Sequence, residues 1–555
     1  MVTVTSMPAP ETDTADLRKA RGAFFTPDPI ARFITEWAVR DASDRVLEPS
    51  CGDAAFAVQA VERLLTLGAT EAPSVDGVEI HQDSAETARA RISAAGGTPR
   101  VKVSDFFLVK PEPKYTAVIG NPPYIRFQDF SGAARTRSRA AALKAGVPLS
   151  GLASSWAAFA VHSALFLKPG GRMGLVLPAE LLSVNYAAVV RQFLFDRFRS
   201  VDLVMFSERV FPEAEADVVL LLADGFDEGP TDHARIFQSQ DADGLTSLAE
   251  SQKWIPRNPS AKWTSSLLNS KALGIYESVL AAGQFFDLET WGDTTLGMVT
   301  GSNKYFALSP KRVTELGLVG SDLIPLSPPG SSHLRGLELS TRHMSKLGAT
   351  DSATALFRPD GEPSSAALRY IAAGETAGVD TAYKCRVRPT WWRVPLVKPA
   401  DLLLTYMNAD TPRLTTNAAV AHHLNSVHGV YLHDEHRMLG KELLPLASLN
   451  SVTLLGAETV GRSYGGGILK LEPREADVLP VPSPATVAGA ADKLRLIRPR
   501  VGRLLREGRL LEAVELVDSV LLTGELKMTT QDVGAVREAR AALVLRRVMR
   551  SQSGS

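Results

Sequence analysis

The sequence predicts an α/β protein: a doubly wound, mostly parallel sheet in the N-terminal half, then a mixed α+β domain and C-terminal helices. Short apolar runs typical of buried strands alternate with helical segments over roughly the first 225 residues. Three successive runs also end near an acidic residue, at Glu48, Glu79 and Asp105. Because ligands bind outside the carboxyl ends of parallel strands, these acids indicate one binding site.

Length and composition limit the number of domains and the class of protein. With 555 residues the chain is too long for one core, so two or three domains are expected. A formal net charge of zero means that any nucleic-acid surface must be local. No apolar run is long enough for a membrane span and no signal-peptide core is present, so we expect a cytoplasmic protein without membrane association. Two distant cysteines exclude a disulfide framework, and no zinc-type cluster occurs, so no metal site is predicted.

The first structured element is predicted to be an amphipathic helix that begins after Thr26. Residues 1–19 are rich in Thr, Pro, Ala and Asp and predict a flexible leader. Thr26 is a favourable N-cap residue, and Pro27 suits the first helical position.

The loop Glu48–Asp53 follows the first strand and leads into a helix, as the first ligand-binding loop of a doubly wound sheet does. It contains one glycine, Gly52, whereas a phosphate-binding loop needs several for its backbone to approach a pyrophosphate. A cofactor without phosphate has no such need, and S-adenosylmethionine, with a sulfonium and an α-ammonium group, is such a cofactor. Glu48 and Asp53 would supply negative charge for these two cations.

Two further strands end on candidate cofactor residues. Glu79 ends the strand 74–80, at a position where an acid commonly accepts hydrogen bonds from ribose hydroxyls. Asp105 and Phe106 end the next strand, and we expect them to bind an adenine amino group and to pack against its ring. One acid at a strand end is usually a local cap, but three in succession favour a site.

The segment that follows the fourth strand carries the chemistry. Residues 115–119 predict a short buried strand, and Asn121-Pro122-Pro123-Tyr124 follows as a stiff loop. The Asn121 side-chain oxygen and the Pro122 carbonyl would each accept one N–H of a planar amine, which aims the nitrogen lone pair at a methyl donor. Tyr124 offers a ring for stacking on a base. The loop therefore predicts N-methylation of a nucleobase, against the plainer alternative of an Asn-Pro turn.

The remainder of the N-terminal half is predicted to complete the sheet. Residues 131–150, polar, basic and rich in Gly and Ala, predict a mobile excursion over the mouth of the site. The strands 201–206 and 216–223 predict an antiparallel hairpin at the edge of the sheet. Phe211 lies in the turn between them, where we expect it to be exposed and to sandwich a base.

The motifs, in their order along the chain, resemble those of the γ-class N6-adenine DNA methyltransferases, the TaqI-like enzymes of bacterial restriction–modification systems. The resemblance covers roughly residues 20–225 closely. Asn-Pro-Pro-Tyr also occurs in protein-glutamine and ribosomal-RNA N-methyltransferases, which usually lack the long domain that follows here. The loop Ser50-Cys51-Gly52-Asp53 departs from the family pattern, and Cys51 is interpreted as buried packing. The motifs are Thr26-Pro27, Glu48-Pro49-Ser50-Cys51-Gly52, Glu79, Asp105, Asn121-Pro122-Pro123-Tyr124 and Val210-Phe211-Pro212.

The resemblance implies a domain order and a set of roles. It implies a Rossmann-like S-adenosylmethionine-dependent methyltransferase domain over 20–245, a DNA target-recognition domain over 246–485 and a C-terminal helical segment over 486–555. Asn121 and Pro122 would orient the adenine amine, and Tyr124 and Phe211 would stack on the flipped base. The implied cofactor contacts are Thr26, Glu48, Pro49, Ser50, Gly52, Glu79, Asp105, Phe106 and Asn121.

Basic residues in the C-terminal half are candidate DNA contacts. The segment 296–306 mixes Gly, Ser, Asn, Lys and aromatic residues, as suits a loop near DNA, and Lys304 is its candidate contact. Residues 382–393 alternate basic and aromatic side chains in a strand-like run. Period-two alternation places three of these residues on one face as phosphate contacts: Lys384, Arg386 and Arg388.

Two later segments complete the sequence. Residues 413–431 are polar enough to reach base edges, although lone histidines in such a segment are more often structural. Residues 486–550 have a helical pattern with a basic stripe, and we expect them to pack against the preceding domain.

The sequence as a whole predicts an adenine-specific, site-specific DNA methyltransferase. It would transfer a methyl group from S-adenosylmethionine to N6 of an adenine flipped out of duplex DNA, by direct displacement. Duplex DNA is the expected partner, with a cognate restriction endonuclease or defence-system subunit as a further one, and a monomer is expected. The alternatives are an RNA or protein-glutamine methyltransferase, a modification subunit of a multi-subunit defence complex, a fused nuclease and a non-catalytic DNA-binding subunit.

Overall fold

A computed structural model describes the chain at 26–208, 210–211, 217–248, 251–256 and 258–552. The described residues form two compact units that divide between Leu267 and Leu268. The predicted leader and Pro212 lie outside the described residues. The predicted boundary at 245 falls inside the first unit, because a short strand at 252–254 still belongs to its sheet.

A mixed sheet of nine strands forms the centre of the first unit within its described part. The strand order is β3-β2-β1-β4-β5-β7-β6-β8-β9. The first five strands in this order, β3, β2, β1, β4 and β5, run parallel to one another. The chain therefore leaves β1 toward β3 on one side and returns to β4 on the other, which makes the β1/β4 pair the topological switch point. The strands are β1 (Val46–Glu48), β2 (Ser74–Glu79), β3 (Thr98–Val103), β4 (Tyr115–Gly120), β5 (Leu167–Pro178), β6 (Phe198–Phe206), β7 (Val218–Phe226), β8 (Ala234–Ser239) and β9 (Gln252–Trp254).

Helices cover the sheet of the first unit. In the first of them, Ile30, Ile34 and Ala38 form the buried face at the i, i+4, i+8 spacing of a helix. Gly174 on β5 lets this helix approach closely, because a Cβ there would lie 2.5 Å from Cγ2 of Ile34. The helices are α1 (Asp28–Ala38), α2 (Ala55–Thr66), α3 (Gln82–Ala94), α4 (Gly132–Lys144), α5 (Ser155–Ala164), α6 (Glu180–Ser183) and α7 (Ala188–Arg197).

The parallel α/β fold is confirmed, but several local predictions in this unit are wrong. Thr26 does not cap α1: the N-cap residue is Pro27, without a side-chain cap bond. The expected excursion at 131–150 contains α4, since its Ala and Arg residues favour a helix. The β6–β7 hairpin lies inside the sheet, because β8 pairs with β6 on its outer side.

The second unit combines several small sheets with helices. A four-stranded sheet has the order β11-β18-β15-β17, and two three-stranded sheets have the orders β12-β14-β13 and β16-β20-β19. Its strands are β10 (Phe285–Asp287), β11 (Gly292–Leu296), β12 (Ala307–Leu308), β13 (Leu323–Pro325), β14 (Ala355–Phe357), β15 (Leu402–Thr405), β16 (Met407–Asn408), β17 (Leu414–Thr416), β18 (Val427–Leu432), β19 (Arg462–Tyr464), β20 (Ile468–Lys470) and β21 (Pro480–Pro482).

Helices surround these sheets, and the predicted helical C-terminal segment is confirmed. They are α8 (Ser270–Ala281), α9 (Asn303–Phe306), α10 (Pro310–Leu316), α11 (Thr341–Ala349), α12 (Ser365–Thr376), α13 (Tyr383–Arg386), α14 (Arg437–Ala447), α15 (Ser451–Val460), α16 (Pro473–Asp477), α17 (Pro484–Gly489), α18 (Ala491–Arg506), α19 (Leu510–Asp518) and α20 (Thr530–Gln552). Among the described residues no single helix is long and apolar enough to cross a membrane. The pair α14 and α15, which is bent by 89°, has the length and apolar composition of a membrane span only when the two helices are taken together.

Two predictions in the second unit are wrong. The run 382–393 is not a strand: it contains α13 and a turn, so its basic residues do not share one face of a ribbon. Several polar residues of 413–431 do not reach outward: Asn417, His423 and His428 are buried, whereas His422 and Asn425 are partly exposed. Their polar groups serve the protein itself, as when the Asn417 amide donates to the Ala400 and Ala421 carbonyls.

Candidate active site

A cavity of about 530 Å³ opens at the carboxyl ends of β1, β2 and β4, at the topological switch point of the sheet. It brings together every residue predicted to contact the cofactor. Of the described residues that line it, the predicted ones are Thr26, Glu48, Pro49, Ser50, Gly52, Glu79, Asp105, Phe106 and Asn121.

Glu48 provides a buried carboxyl group at the floor of this cavity. Its side chain accepts a hydrogen bond of 2.9 Å from the backbone N–H of Ala57 in the first turn of α2. Burial raises the pKa of the Glu48 carboxyl well above its ordinary value, and the nearby Asp53 and Glu79 charges add to this effect. A cation beside Glu48 would relieve this cost.

Glu79 shapes the loop that faces it. One carboxylate oxygen accepts the N–H of Gly52 at 2.9 Å, and the other accepts the N–H groups of Ile80 and His81, each at 2.9 Å. The backbone N–H of Gly52, at φ 48°, therefore points at a protein carboxylate. A phosphate-binding loop would aim such groups at its ligand, so the loop suits a cofactor without phosphate.

Asp53 does not hold an uncompensated charge, contrary to the expectation from sequence. Its carboxylate forms an ion pair with Arg91 of α3, and the same guanidinium donates to the Asp53 carbonyl at 2.9 Å. A positive ligand group would have to compete with this arginine. Glu48 is thus left as the carboxyl at the end of β1 for the cationic end of a ligand.

Asp105 and Phe106 lie at the other end of the cavity. The Asp105 carboxylate accepts the Phe107 N–H at 2.9 Å, and its second oxygen lies 2.8 Å from the guanidinium of Arg137 in α4. Phe106 is 3% exposed and stacks on Phe159, with ring centroids 5.5 Å apart. Its ring therefore belongs to an aromatic cluster of the protein, and because Phe106 also lines the cavity, its packing against an adenine ring stays a prediction.

Asn121 lies where β4 ends, with both ends of its amide bonded. Its Nδ2 donates to the Thr26 hydroxyl at 3.2 Å, and its Oδ1 accepts from the Tyr124 hydroxyl at 2.6 Å. The same hydroxyl lies 3.0 Å from the Val176 carbonyl oxygen on β5. Burial raises the pKa of Tyr124 well above its ordinary value, so the hydroxyl keeps its proton and remains a donor.

The loop around Asn121 is fixed by the start of α5. The N–H of Ile125 donates to the Ser155 hydroxyl at 2.8 Å, the Ser155 N–H donates to the Ile125 carbonyl at 3.0 Å, and the Ser155 hydroxyl also bonds the Pro123 carbonyl. These bonds and the two prolines hold the loop in one conformation, as predicted.

Phe211, Pro122 and Tyr124 lie outside the lining of the cavity. Phe211 is only 4% exposed and belongs to the core cluster of α1, α2 and the sheet, against which Tyr124 also packs. The expectation of an exposed Phe211 is therefore wrong, because the apolar surface of the sheet covers its ring. Pro122 is buried.

Two residues that the sequence analysis missed line or adjoin this cavity. Ile80 directly follows Glu79, lines the cavity and is 59% exposed, so it offers an apolar wall to a ligand. Arg137 bonds Asp105 from 32 positions along the chain, and only its basic character was visible in the sequence. An apolar residue next to a strand-end acid was the available signal for Ile80.

The predicted DNA contacts of the second unit divide into two groups. Lys304, Lys384 and Arg386 are exposed. Arg388 is half-buried and holds two segments together: its guanidinium donates to the Val299 carbonyl at 2.6 Å and to the Trp391 carbonyl at 3.3 Å. Its side chain is thus committed to the fold of the unit.

Comparisons with known proteins agree with this architecture. Residues 12–236 match the family model N-6 DNA Methylase, and residues 260–522 match that of the C-terminal domain of Type II methyltransferase M.Eco57I. The chain is 29% identical over 483 residues to Type II methyltransferase M.XamI of Xanthomonas campestris pv. amaranthicola, which covers 83% of this chain and 85% of that protein. It is 23% identical over 477 residues to Type II methyltransferase M.AccI of Acinetobacter calcoaceticus, covering 82% and 84%.

A solved structure shows a similar fold over nearly the whole chain. The Type IIL restriction-modification enzyme MmeI, determined in complex with DNA, matches with a TM-score of 0.53 at 12% identity. The match covers 97% of this chain and 80% of that one. At this level of identity the likeness concerns the fold.

The doubly wound fold and the match to the N-6 DNA methylase model indicate an S-adenosylmethionine-dependent methyltransferase. The two family models and the relatives along most of the chain make it similar to the DNA methyltransferases of restriction–modification systems. The prediction of S-adenosylmethionine is confirmed by the match to the N-6 DNA methylase model. The site suits S-adenosylmethionine chemically, because a cation would stabilise the ionised form of the buried Glu48 carboxyl. The loop after β1 also lacks the geometry of a phosphate-binding loop.

Proposed function

We propose that this enzyme is an adenine-specific methyltransferase of the γ class, which methylates N6 of an adenine rotated out of duplex DNA. The observation that carries the proposal is the position of Asn121. Its amide lines the same cavity as Glu48, Glu79 and Asp105, so an amine held by Asn121 lies next to the cofactor site.

Residues of this chain hold the cofactor through charge and shape. The Glu48 carboxyl receives the positive methionine end, Glu79 accepts from the ribose hydroxyls, and Asp105 accepts from the adenine amino group. Ile80 packs against the adenine ring, together with Phe106. The bound cofactor supplies an electrophilic methyl group on a sulfonium.

The Asn121 loop prepares the target nitrogen for attack. Two acceptors, the Asn121 Oδ1 and the Pro122 carbonyl, bind the two N–H groups of the adenine amine and turn its lone pair out of conjugation with the ring. With the amine held by Asn121 and Pro122, that lone pair would attack the methyl carbon of the sulfonium, and the electron pair of the broken C–S bond would go to sulfur. The surplus proton on N6 then leaves to water.

Aromatic rings and basic residues stabilise the flipped base and the duplex. The Tyr124 ring adjoins Asn121 and stacks on the base, at about 1–3 kcal/mol per stacked base in comparable sites. Phe211 is buried beside it, so a stacking role for Phe211 requires the base to displace its apolar neighbours. Lys304, Lys384 and Arg386 contact DNA phosphates from the second unit.

The biological setting follows from the family. The enzyme protects host DNA in the cytoplasm of a bacterium, alongside a restriction endonuclease of the same specificity, and acts as a monomer. The pairing with a restriction endonuclease is supported by the relatives named above, which are Type II methyltransferases.

Incubation with labelled cofactor and separate pools of duplex DNA, RNA and ribosomal protein tests the proposal. The expected result is label in DNA alone, recovered as N6-methyladenine after nuclease digestion. Asn121→Ala should lower the single-turnover rate at least a hundredfold while S-adenosylmethionine still binds. Label in RNA or protein, or near-native activity of Asn121→Ala, would contradict the proposal.

A further inference from the structure

The amide of Asn121 is held between two hydroxyl groups that come from distant parts of the chain. Thr26, which precedes α1, accepts from Nδ2 at 3.2 Å across 95 positions of sequence. The Tyr124 hydroxyl lies 2.6 Å from Oδ1 and 3.0 Å from the Val176 carbonyl oxygen, and it donates its single proton to the nearer acceptor, Oδ1.

This pair of bonds determines which face of the amide meets the substrate. A primary amide can offer two N–H donors and two acceptor lone pairs. Here one donor is used by Thr26 and one lone pair by Tyr124, which leaves a lone pair on Oδ1 for an incoming amine. If the amide turned over, an N–H of Asn121 would face the N–H of the amine, and the two donors would repel.

We propose that Thr26 and the hydroxyl group of Tyr124 are positioning residues, which fix the Asn121 amide so that its oxygen faces the target amine. The inference rests on the proposed function and deepens it. It separates two contributions of Tyr124: the ring stacks on the base, and the hydroxyl orients Asn121. It also assigns Thr26 an action through Asn121 rather than through the cofactor.

Two conservative substitutions isolate the hydroxyl groups. Thr26→Val keeps the shape of the side chain but removes the acceptor, and Tyr124→Phe keeps the ring but removes the donor. Each loses one hydrogen bond to the amide, so the single-turnover methylation rate should fall roughly three- to tenfold. The dissociation constants for S-adenosylmethionine and DNA should stay within about twofold of the native values, and Thr26→Ser should restore the rate.

The neighbouring strand β4 supplies matched controls. Tyr115→Phe removes a hydroxyl bonded to Asp76 at 2.6 Å, and Thr116→Val removes a hydroxyl bonded to the Arg45 N–H at 2.8 Å, both outside the cavity lining. These variants should methylate at the native rate. Thermal melting of each variant monitors folding.

Base flipping, measured separately from methyl transfer, distinguishes the role of the Tyr124 ring from that of its hydroxyl group. With 2-aminopurine at the target position, Tyr124→Phe should keep the native fluorescence increase, whereas Tyr124→Ala should reduce it. Native single-turnover rates in both Thr26→Val and Tyr124→Phe would overturn the inference, as would a Thr26→Val defect that saturating S-adenosylmethionine abolishes. A wild-type enzyme that leaves adenine unmethylated would instead refute the proposed function.

Discussion

Replacement of Glu48 by Gln tests whether a buried carboxylate holds the positive charge of the cofactor. Glu48 is 2% exposed, and burial raises its pKa well above the ordinary value of 4.5. The unliganded protein therefore keeps this carboxyl protonated at pH values where an exposed glutamate is ionised. A cation placed beside Glu48 favours the carboxylate, so binding of S-adenosylmethionine should release a proton.

The size of the effect follows from linkage. Between the ordinary and the raised pKa, one proton leaves per cofactor bound, so the affinity rises by up to about tenfold per pH unit. Two unit charges about 4 Å apart attract by about 4 kcal/mol at an effective dielectric constant near 20. Deprotonation of Glu48 offsets part of this gain, so Glu48→Gln should weaken binding by roughly 10- to 100-fold near pH 7.5.

Calorimetry in two buffers of different ionisation enthalpy measures both the affinity and the released protons. The window of about pH 5.5 to 7.5 keeps the α-ammonium of the cofactor charged. The free energy of unfolding of the unliganded protein should also depend on pH. Because the pKa of Glu48 is raised in the folded state, the protonated carboxyl stabilises the fold at low pH, and this stabilisation is lost as the pH rises above 4.5 toward the raised value. Glu48→Gln should weaken the pH dependence of S-adenosylmethionine affinity and that of the free energy of unfolding. Equal proton release by native protein and variant would refute the reasoning.

Three further variants test other parts of the molecule. Arg137→Gln frees Asp105 from a partly exposed ion pair of about 0.3–1 kcal/mol, so S-adenosylmethionine should bind two- to fivefold more tightly in titrations at low salt; weaker binding would show that Arg137 supports the bound state. Ile80→Ala should weaken cofactor binding about tenfold by loss of apolar contact, with the exposed Leu65→Ala as the unaffected control. Lys384→Ala should lower the salt slope of DNA binding by about 1, and Lys346→Ala, also exposed in the second unit, should not; equal slopes would remove Lys384 from the interface.

The parts of the fold that the sequence predicted well are those set by local patterns. The strands that end at Glu48, Glu79 and Gly120 lie where apolar, β-branched runs placed them. Parallel strands of one sheet end at a common edge, so residues at the ends of these strands had to meet there. That rule gathered the predicted cofactor residues at the strand ends around one cavity, which Thr26 joins from the segment before α1.

Predictions failed where a short segment had no strong pattern of its own. The alternating run at 382–393 suggested a strand, but Arg388 and Cys385 bond the segment 299–300 and hold the chain in a helical turn. Phe211 was expected at an exposed tip, but the burial of its ring depends on helices and strands that no local window contains.

The sequence by itself thus determined the chemical groups of the site and the strands that carry them, because spacing along a strand and the stiffness of Asn121-Pro122-Pro123 are local properties. Only the tertiary structure decided the partners of those groups: Thr26 against Asn121, Arg137 against Asp105, Arg91 against Asp53. Such bonds join residues tens of positions apart, and packing of the helices on the sheet chooses between partners of equal chemical suitability.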